Sequence, residues 1–119
     1  MRTESYILLS NGLALLELIV GYIVDIFGFG YQYINLGIHA VIGILLFAFT
    51  LISYIRIEER FMKRLLLGTI VLIIIAAILG FVYILFGNII ISIIHFIFAL
   101  GVLSNLSVGY GFMIGKRYR

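Results

Sequence analysis

The sequence predicts an all-α integral membrane protein, a bundle of four transmembrane helices in up-down-up-down order. Mean hydropathy is +1.31, and only 11% of the 119 residues are charged. The apolar residues fall into four runs, and a bilayer core needs about 20 apolar residues per helix. Because lipid offers backbone groups no hydrogen-bond partners, each run must be helical. We predict helices at about residues 6–27, 33–55, 65–86 and 89–114, which form one transmembrane domain over residues 1–119.

The composition also excludes several classes of protein. The chain has no Cys, which rules out disulfides, thiolate-bound iron–sulfur clusters and covalently attached c-type haem. It has no Pro, which disfavours the deliberately broken helices of many secondary transporters.

The positive charges predict the orientation of the bundle. All eight lie at one end of the predicted helices, at Arg2, Arg56, Arg60, Lys63, Arg64, Lys116, Arg117 and Arg119. Cytoplasmic loops of membrane proteins are enriched in Lys and Arg. Both termini and the middle loop are therefore predicted to be cytoplasmic, in a multi-pass protein of the plasma membrane. The net charge of +3 is interpreted as this topology signal and not as a nucleic-acid surface.

The chain also contains an apparent two-helix internal repeat. GYIVDIFG at Gly21–Gly28 matches GFVYILFG at Gly80–Gly87, and both octamers close an odd-numbered helix. Each is followed by a helix with one His near its start, His39 or His95, and the chain has no other His. The alternative is chance similarity between apolar helices.

The two histidines are the main candidates for a site. Each lies six residues into its predicted helix, about 9 Å below the outer boundary at 1.5 Å per residue. Two imidazoles at one depth of a bundle are typical of b-type haem, which needs no covalent anchor. We predict one haem b with His39 and His95 as metal ligands. Structural hydrogen bonding, a proton relay and another metal are the alternatives.

Neighbouring residues suit a planar guest. Gly43 and Ala99 lie four residues after the histidines, where small side chains leave space for a macrocycle. Gln32 and Asn88 lie seven residues before them, where amides can bond haem propionates at the outer edge. Small and polar residues recur at helical spacing in the first and third helices, which favours close helix packing: Ser10, Ala14, Glu17, Gly21, Asp25 and Gly28, then Thr69, Ala76, Gly80 and Gly87.

Glu17 is the second candidate residue, because it falls near the middle of the first predicted helix. A carboxyl group at that depth is expected to be protonated or paired. It can serve as a proton carrier, as a partner of the histidine site, as a counter-charge for a substrate, or as an interhelical hydrogen-bonding group.

These residues resemble one half of a heme A synthase. The run LLELIVGYIVDIFGFGYQYINLGIHAVIGILLFAF carries the likeness, which extends over about residues 13–49 and more weakly over 72–104. Those proteins contain two four-helix bundles with paired-His haem sites, and short archaeal forms have a single bundle. The resemblance implies a bis-His haem in this bundle. The chain departs from the synthases in lacking the long extracellular loop with its catalytic Glu, the His-Arg pair (Ala40 follows His39) and any loop Cys.

Small cytochrome b subunits are similar in general plan. We therefore expect a haem-binding subunit that transfers electrons within a respiratory or quinone-linked complex, without catalytic residues of its own. Its expected partners are other membrane subunits, a quinone and the lipid bilayer. A synthase-like haem-modifying protein and a cofactor-free structural subunit are alternatives.

A third alternative comes from the small multidrug resistance transporters. They resemble this chain in length, in having four helices and in one membrane-embedded Glu in the first helix, here Glu17 in LALLELIVG. The absence of Trp and Pro departs from that family.

Overall fold

The structure is a computed structural model that describes residues 1–27 and 33–119, with the side chains of residues 24–27 and 33 left outside that description. Four α-helices account for the regular structure of the described residues: α1 (Thr3–Phe27), α2 (Tyr33–Arg56), α3 (Arg60–Phe86) and α4 (Ile89–Arg117). Each is long and apolar enough to cross a membrane. The chain is a multi-pass membrane protein built from four such helices.

All four helices extend further than the apolar runs predict. Helix α1 begins at Thr3 instead of residue 6, and α3 begins at Arg60 instead of residue 65. Helix α2 ends at Arg56 instead of residue 55, and α4 continues to Arg117 instead of residue 114. Hydropathy locates the part of a helix that fits hydrocarbon, whereas the backbone hydrogen bonds continue into the polar interface. The predicted middle loop of residues 56–64 is accordingly reduced to residues 57–59.

Side chains and one glycine fix the ends of α3. Glu59 is its N-cap, and the carboxylate accepts a hydrogen bond of 2.7 Å from the backbone N–H of Met62. This hydrogen bond is the main reason that the pKa of Glu59 lies below its ordinary value. At the other end Gly87 has a φ of 64°, a left-handed conformation suited to glycine, and its N–H donates to the carbonyl of Tyr83 at 2.8 Å.

The four helices form a closed ring of contacts. Helix α1 packs against α2 and α4, and α3 packs against the same two helices. The buried apolar cluster lies toward the end that holds the 57–59 connection, and includes Ile7, Leu46, Ile57, Met62, Leu66 and Leu106. Large apolar side chains face outward along the helices, such as Ile44, which is 68% exposed, as lipid contact requires.

Polar contacts hold the chain ends and the 57–59 connection together. The guanidinium of Arg56 donates to the carbonyl of Met1 at 3.0 Å. Arg117 lies 3.7 Å from Glu4, and Lys116 lies 3.8 Å from Glu59. The start of α1, the end of α2, the start of α3 and the end of α4 therefore meet at one end of the bundle.

Hydroxyl groups buried in the bundle are satisfied within their own helices. Each donates to the carbonyl four residues earlier at 2.8 Å, as is common for Ser and Thr inside helices: Ser10, Thr50, Ser53 and Thr69. The hydrogens of these four hydroxyls are therefore bonded to the backbone of their own helices.

Candidate functional site

The structure brings the two histidines together. Helix α2 begins at Tyr33 and α4 at Ile89, so that His39 and His95 each lie six residues into a helix. The centres of the two imidazole rings are 6.2 Å apart, and the ring planes make an angle of 76°. The positions of His39 and His95 in the sequence suggested that the two rings could meet, and in the structure the rings lie next to each other.

The separation of the rings suits a shared metal better than a direct hydrogen bond. An imidazole nitrogen binds a transition metal at about 2.0–2.1 Å, and the ring centre lies about 1.1 Å from each nitrogen when the C–N bonds are about 1.33 Å. One metal on a line between two imidazoles therefore separates the ring centres by about 6.2–6.4 Å. A straight N–H···N bond of about 3.0 Å would bring them to about 5.2 Å.

The Nδ1 atom of each histidine lies close to an acceptor on the neighbouring odd-numbered helix. His39 Nδ1 lies 3.1 Å from a carboxylate oxygen, Oε2 of Glu17. His95 Nδ1 lies 2.6 Å from the backbone carbonyl of Ala76. Histidines that bind metals almost always present their second ring nitrogen to a carboxylate or a carbonyl, which fixes the tautomer and orients the ring. The site has one acceptor of each kind.

Two glycines allow the rings to approach these helices. A Cβ added to Gly21 would lie 3.2 Å from Cε1 of His39, and one added to Gly80 would lie 3.1 Å from Cε1 of His95. Both separations are tighter than ordinary van der Waals contact. Gly21 and Gly80 open the two matching octamers of the sequence, and the acceptors Glu17 and Ala76 each lie four residues before them.

Glu17 has an unusual environment for a carboxylate. Its side chain is 15% exposed, and its Oε1 atom, like His39 Nδ1, is buried without a hydrogen-bond partner among the described residues. The contact between Glu17 and His39 is thus close but poorly aligned for the N–H. A Cβ at Gly43, one turn after His39 on α2, would lie 3.5 Å from Glu17 Oε2, which is an ordinary van der Waals contact. Gly43 therefore also lies beside the carboxylate of Glu17.

A cavity of about 940 Å³ adjoins the two histidines and is lined by residues of all four helices. Pockets for small molecules and cofactors commonly measure about 300–1,000 Å³ and are mostly apolar. No Lys or Arg is among the described residues that line this one, and its titratable groups are Glu17, Tyr22, His39, Tyr83 and His95. The cavity therefore combines an apolar wall with two imidazoles and one carboxyl group.

The predicted neighbours of the histidines have different outcomes. Gly43 and Ala99 line the cavity. Asn88 does not line it: this residue is exposed at the N-cap of α4, where its side-chain carbonyl accepts from the N–H of Ile90 at 2.9 Å. Gln32 lies outside the described residues. No sequence pattern pointed to the Ala76 carbonyl, whereas the glycines of the two matching octamers could have been aligned with the histidines in advance.

The donor set favours a metal that carries most of its own ligands. Within residues 1–27 and 33–119, no group of three or more His, Cys, Asp or Glu side chains could hold a metal ion. Structural and catalytic zinc sites use at least three protein ligands. Two imidazoles, by contrast, are enough for the iron of a haem, whose macrocycle supplies the remaining donors.

Comparisons with known protein families, with characterised proteins and with solved structures find no match for this chain.

We predict that Gly21→Ala and Gly80→Ala destabilise the protein relative to matched changes elsewhere in the same helices. Replacing a helical Gly by Ala ordinarily stabilises by about 0.5–1 kcal/mol. Gly12 and Gly68 have nothing within 4 Å of an added Cβ, so Gly12→Ala in α1 and Gly68→Ala in α3 should show that gain. At Gly21 and Gly80 the added methyl must displace an imidazole. Thermal unfolding in detergent, followed by circular dichroism, measures the difference.

A double-variant comparison identifies the cause of the destabilisation. Combining Gly21→Ala with His39→Ala should remove the penalty of the added methyl, because the ring that it displaces is gone. The interpretation fails if Gly21→Ala stabilises as much as Gly12→Ala.

Proposed function

We propose that this chain is a haem b-binding membrane subunit that takes part in electron transfer. The observation that carries the proposal is the pair of imidazoles, His39 and His95, with ring centres 6.2 Å apart and both Nδ1 atoms close to acceptors. That separation equals what one metal between two imidazoles requires, about 6.2–6.4 Å. The second-nitrogen contacts are those of metal-binding histidines.

The residues present fit a haem. His39 and His95 would hold the iron, and the cavity of about 940 Å³ offers a mostly apolar environment beside them. A bound haem would supply one-electron transfer. The chain's own residues would hold the two rings beside acceptors for their Nδ1 atoms and surround the haem with apolar side chains. Gly21 and Gly80 contribute by letting the rings approach α1 and α3.

The proposal includes an up-down-up-down bundle made of two repeated helix pairs. The contacts of Arg56, Lys116 and Arg117 with the chain start and with Glu59 support that order of helices. The repeat is supported by two matching arrangements, in which a glycine on an odd-numbered helix faces a histidine on the next helix. Such a duplication explains why both histidines lie at one depth of the bundle.

We place the cationic end in the cytoplasm of a cell whose plasma membrane holds the protein, by the positive-inside rule. His39 lies six residues from the start of α2 and 17 residues before its end at Arg56. The haem would therefore sit in the outer half of the bilayer. Its electron partners would be a quinone, an exterior donor or a neighbouring subunit of a respiratory complex. We include in this proposal the resemblance to half of a heme A synthase, which implies a haem held by paired histidines in one four-helix bundle.

Glu17 supports a second candidate function, a proton-coupled carrier of lipophilic cations like the small multidrug resistance transporters. The specific observation is a largely buried carboxyl group that lines a large apolar cavity without a Lys or Arg among the described lining residues. Such a group can bind either a proton or a cationic substrate. This candidate leaves the two imidazoles without a role as a pair.

The haem proposal predicts the optical spectrum of the purified protein. The reduced-minus-oxidised difference spectrum should show the narrow bands of a low-spin b-type haem, with one haem per chain. His39→Ala and His95→Ala should each abolish the low-spin bands or the haem itself, because each removes one ligand of the iron. Asn11→Ala, which removes only a contact with Ser107, is the control and should keep the spectrum. A folded but colourless protein contradicts the proposal, as do wild-type spectra in both His variants.

The orientation is testable because the chain has no Cys. A single Cys in place of Glu58, in the 57–59 connection, should be shielded in intact cells from a maleimide that cannot cross the membrane. A single Cys in place of Asn88, at the other end of the bundle, should be labelled. Labelling of Cys at Glu58 but not at Asn88 would reverse the proposed orientation.

The carrier candidate makes a different prediction. The purified protein should bind tetraphenylphosphonium, protons should compete with it, and Glu17→Gln should abolish the binding, because the buried carboxylate would be the counter-charge of the cation. Equilibrium dialysis at two pH values measures this, with Glu58→Gln as the control for loss of an exposed carboxylate. Binding that requires Glu17 in a haem-free protein would favour the carrier over the haem proposal.

A further inference from the structure

The two halves of the site differ in the group that lies beside each imidazole. In each half a glycine faces a histidine ring, and the ring's Nδ1 lies close to the residue four positions before that glycine. In the second half the neighbouring acceptor is the backbone carbonyl of Ala76, which is neutral. In the first half it is the side chain of Glu17, which can carry a full negative charge. The chain therefore holds two imidazoles whose Nδ1 atoms face acceptors of different charge.

We propose that Glu17 is a positioning residue for His39 that lowers the reduction potential of the haem held by the two histidines. This inference rests on the proposed function. A carboxylate is the stronger acceptor of the two, because hydrogen bonds to an ionised group are about twice as strong as neutral ones. Drawing the Nδ1 proton toward Glu17 makes the imidazole a better donor to the metal, which favours the oxidised iron over the reduced iron.

The surroundings of Glu17 direct its carboxylate at His39. Helix α1 packs against α2 and α4, and the side chain on α2 that contacts the carboxylate is His39, at 3.1 Å. Gly43 on the same helix lies beside the carboxylate and offers it no competing polar side chain. No Lys or Arg among the described lining residues competes for it. A metal on the other ring nitrogen, Nε2, would leave the imidazole proton on Nδ1, which is the nitrogen beside the carboxylate.

The charge of Glu17 would change the reduction potential in the same direction as its hydrogen bond to His39. The wall of the cavity is mostly apolar, so a charge there is screened far less than in water. A negative group beside the iron stabilises the more positive, oxidised state. Both effects lower the potential, so removing the carboxylate should raise it.

The experiment is a spectroelectrochemical titration of the purified, haem-loaded protein. Glu17→Gln keeps the size and shape of the side chain but removes its charge. Changes in groups that bond to metal-ligating histidines typically alter metal binding by about 10–100-fold. If the substitution weakens binding of the oxidised iron tenfold and leaves binding of the reduced iron unchanged, the midpoint potential of the variant rises by about 59 mV for one electron. The low-spin spectrum should remain, because both histidines remain.

The control is Glu58→Gln, which removes an exposed carboxylate near the cationic end. It should leave the potential unchanged. An unchanged potential in Glu17→Gln overturns the inference, and so does an equal shift in Glu58→Gln, which would reflect net charge alone. A low-temperature electron paramagnetic resonance spectrum adds a second readout: the g values of the oxidised protein should shift in Glu17→Gln and not in Glu58→Gln.

A further variant decides the case in which Glu17→Gln does not retain haem. Glu17→Asp keeps the carboxylate on a shorter side chain. If Glu17→Asp restores haem loading, the carboxylate itself supports His39, as proposed. If both variants fail to load while Glu58→Gln loads normally, the role of Glu17 is packing and the inference is overturned. A wild-type protein without haem overturns the proposed function and this inference together, whereas a loaded protein with an unresponsive potential overturns only the inference.

Discussion

The close approach of two imidazole rings to two glycines is the constraint on which the rest of this bundle depends. His39 and His95 lie so close to α1 and α3 that a Cβ added at Gly21 or Gly80 would come within 3.1–3.2 Å of a ring, tighter than ordinary van der Waals contact. The same approach places Glu17 and the carbonyl of Ala76 beside the Nδ1 atoms. At both histidines, the close packing of the ring on a glycine thus also places the ring nitrogen beside its acceptor.

The two ends of the bundle differ in how closely their interiors are packed. Near the 57–59 connection the interior is filled, and Met62 packs so closely on Gly109 that an added Cβ there would lie 3.0 Å from its terminal methyl. Buried hydroxyls in this region bond within their own helices and add no demand for partners. The histidines and the cavity lie toward the other end. Close packing at one end can hold the helices in place while the other end keeps space for a guest.

The sequence was informative about features that depend on the chemical type and spacing of side chains. Four apolar runs predicted four helices, and the spacing of His39 and His95 predicted that both would lie equally far into α2 and α4. Hydropathy could not show that α3 already begins at Arg60, because that start depends on the cap provided by Glu59. The role of the Ala76 carbonyl could not be predicted either. Every residue has a backbone carbonyl, and the residue type does not show which side chain that carbonyl will contact. Asn88 was assigned to a ligand although an Asn directly before an apolar helix is a common N-cap.

Charge alone does not distinguish the two proposed functions of the cavity, but the donor set bears on the choice. An ionised carboxyl group among apolar walls would attract any bound group with positive charge, whether a lipophilic cation or the oxidised iron of a haem. A lipophilic cation needs no directional partner, so it gives no reason for two imidazole rings whose centres are 6.2 Å apart. It also gives no reason for both Nδ1 atoms to lie beside acceptors, an arrangement that is common in histidines that bind metals. Ionisable side chains inside a membrane protein are costly and usually functional. The arrangement of His39 and His95 therefore supports the haem proposal over the carrier, and under that proposal Glu17 would be a partner of one ligand.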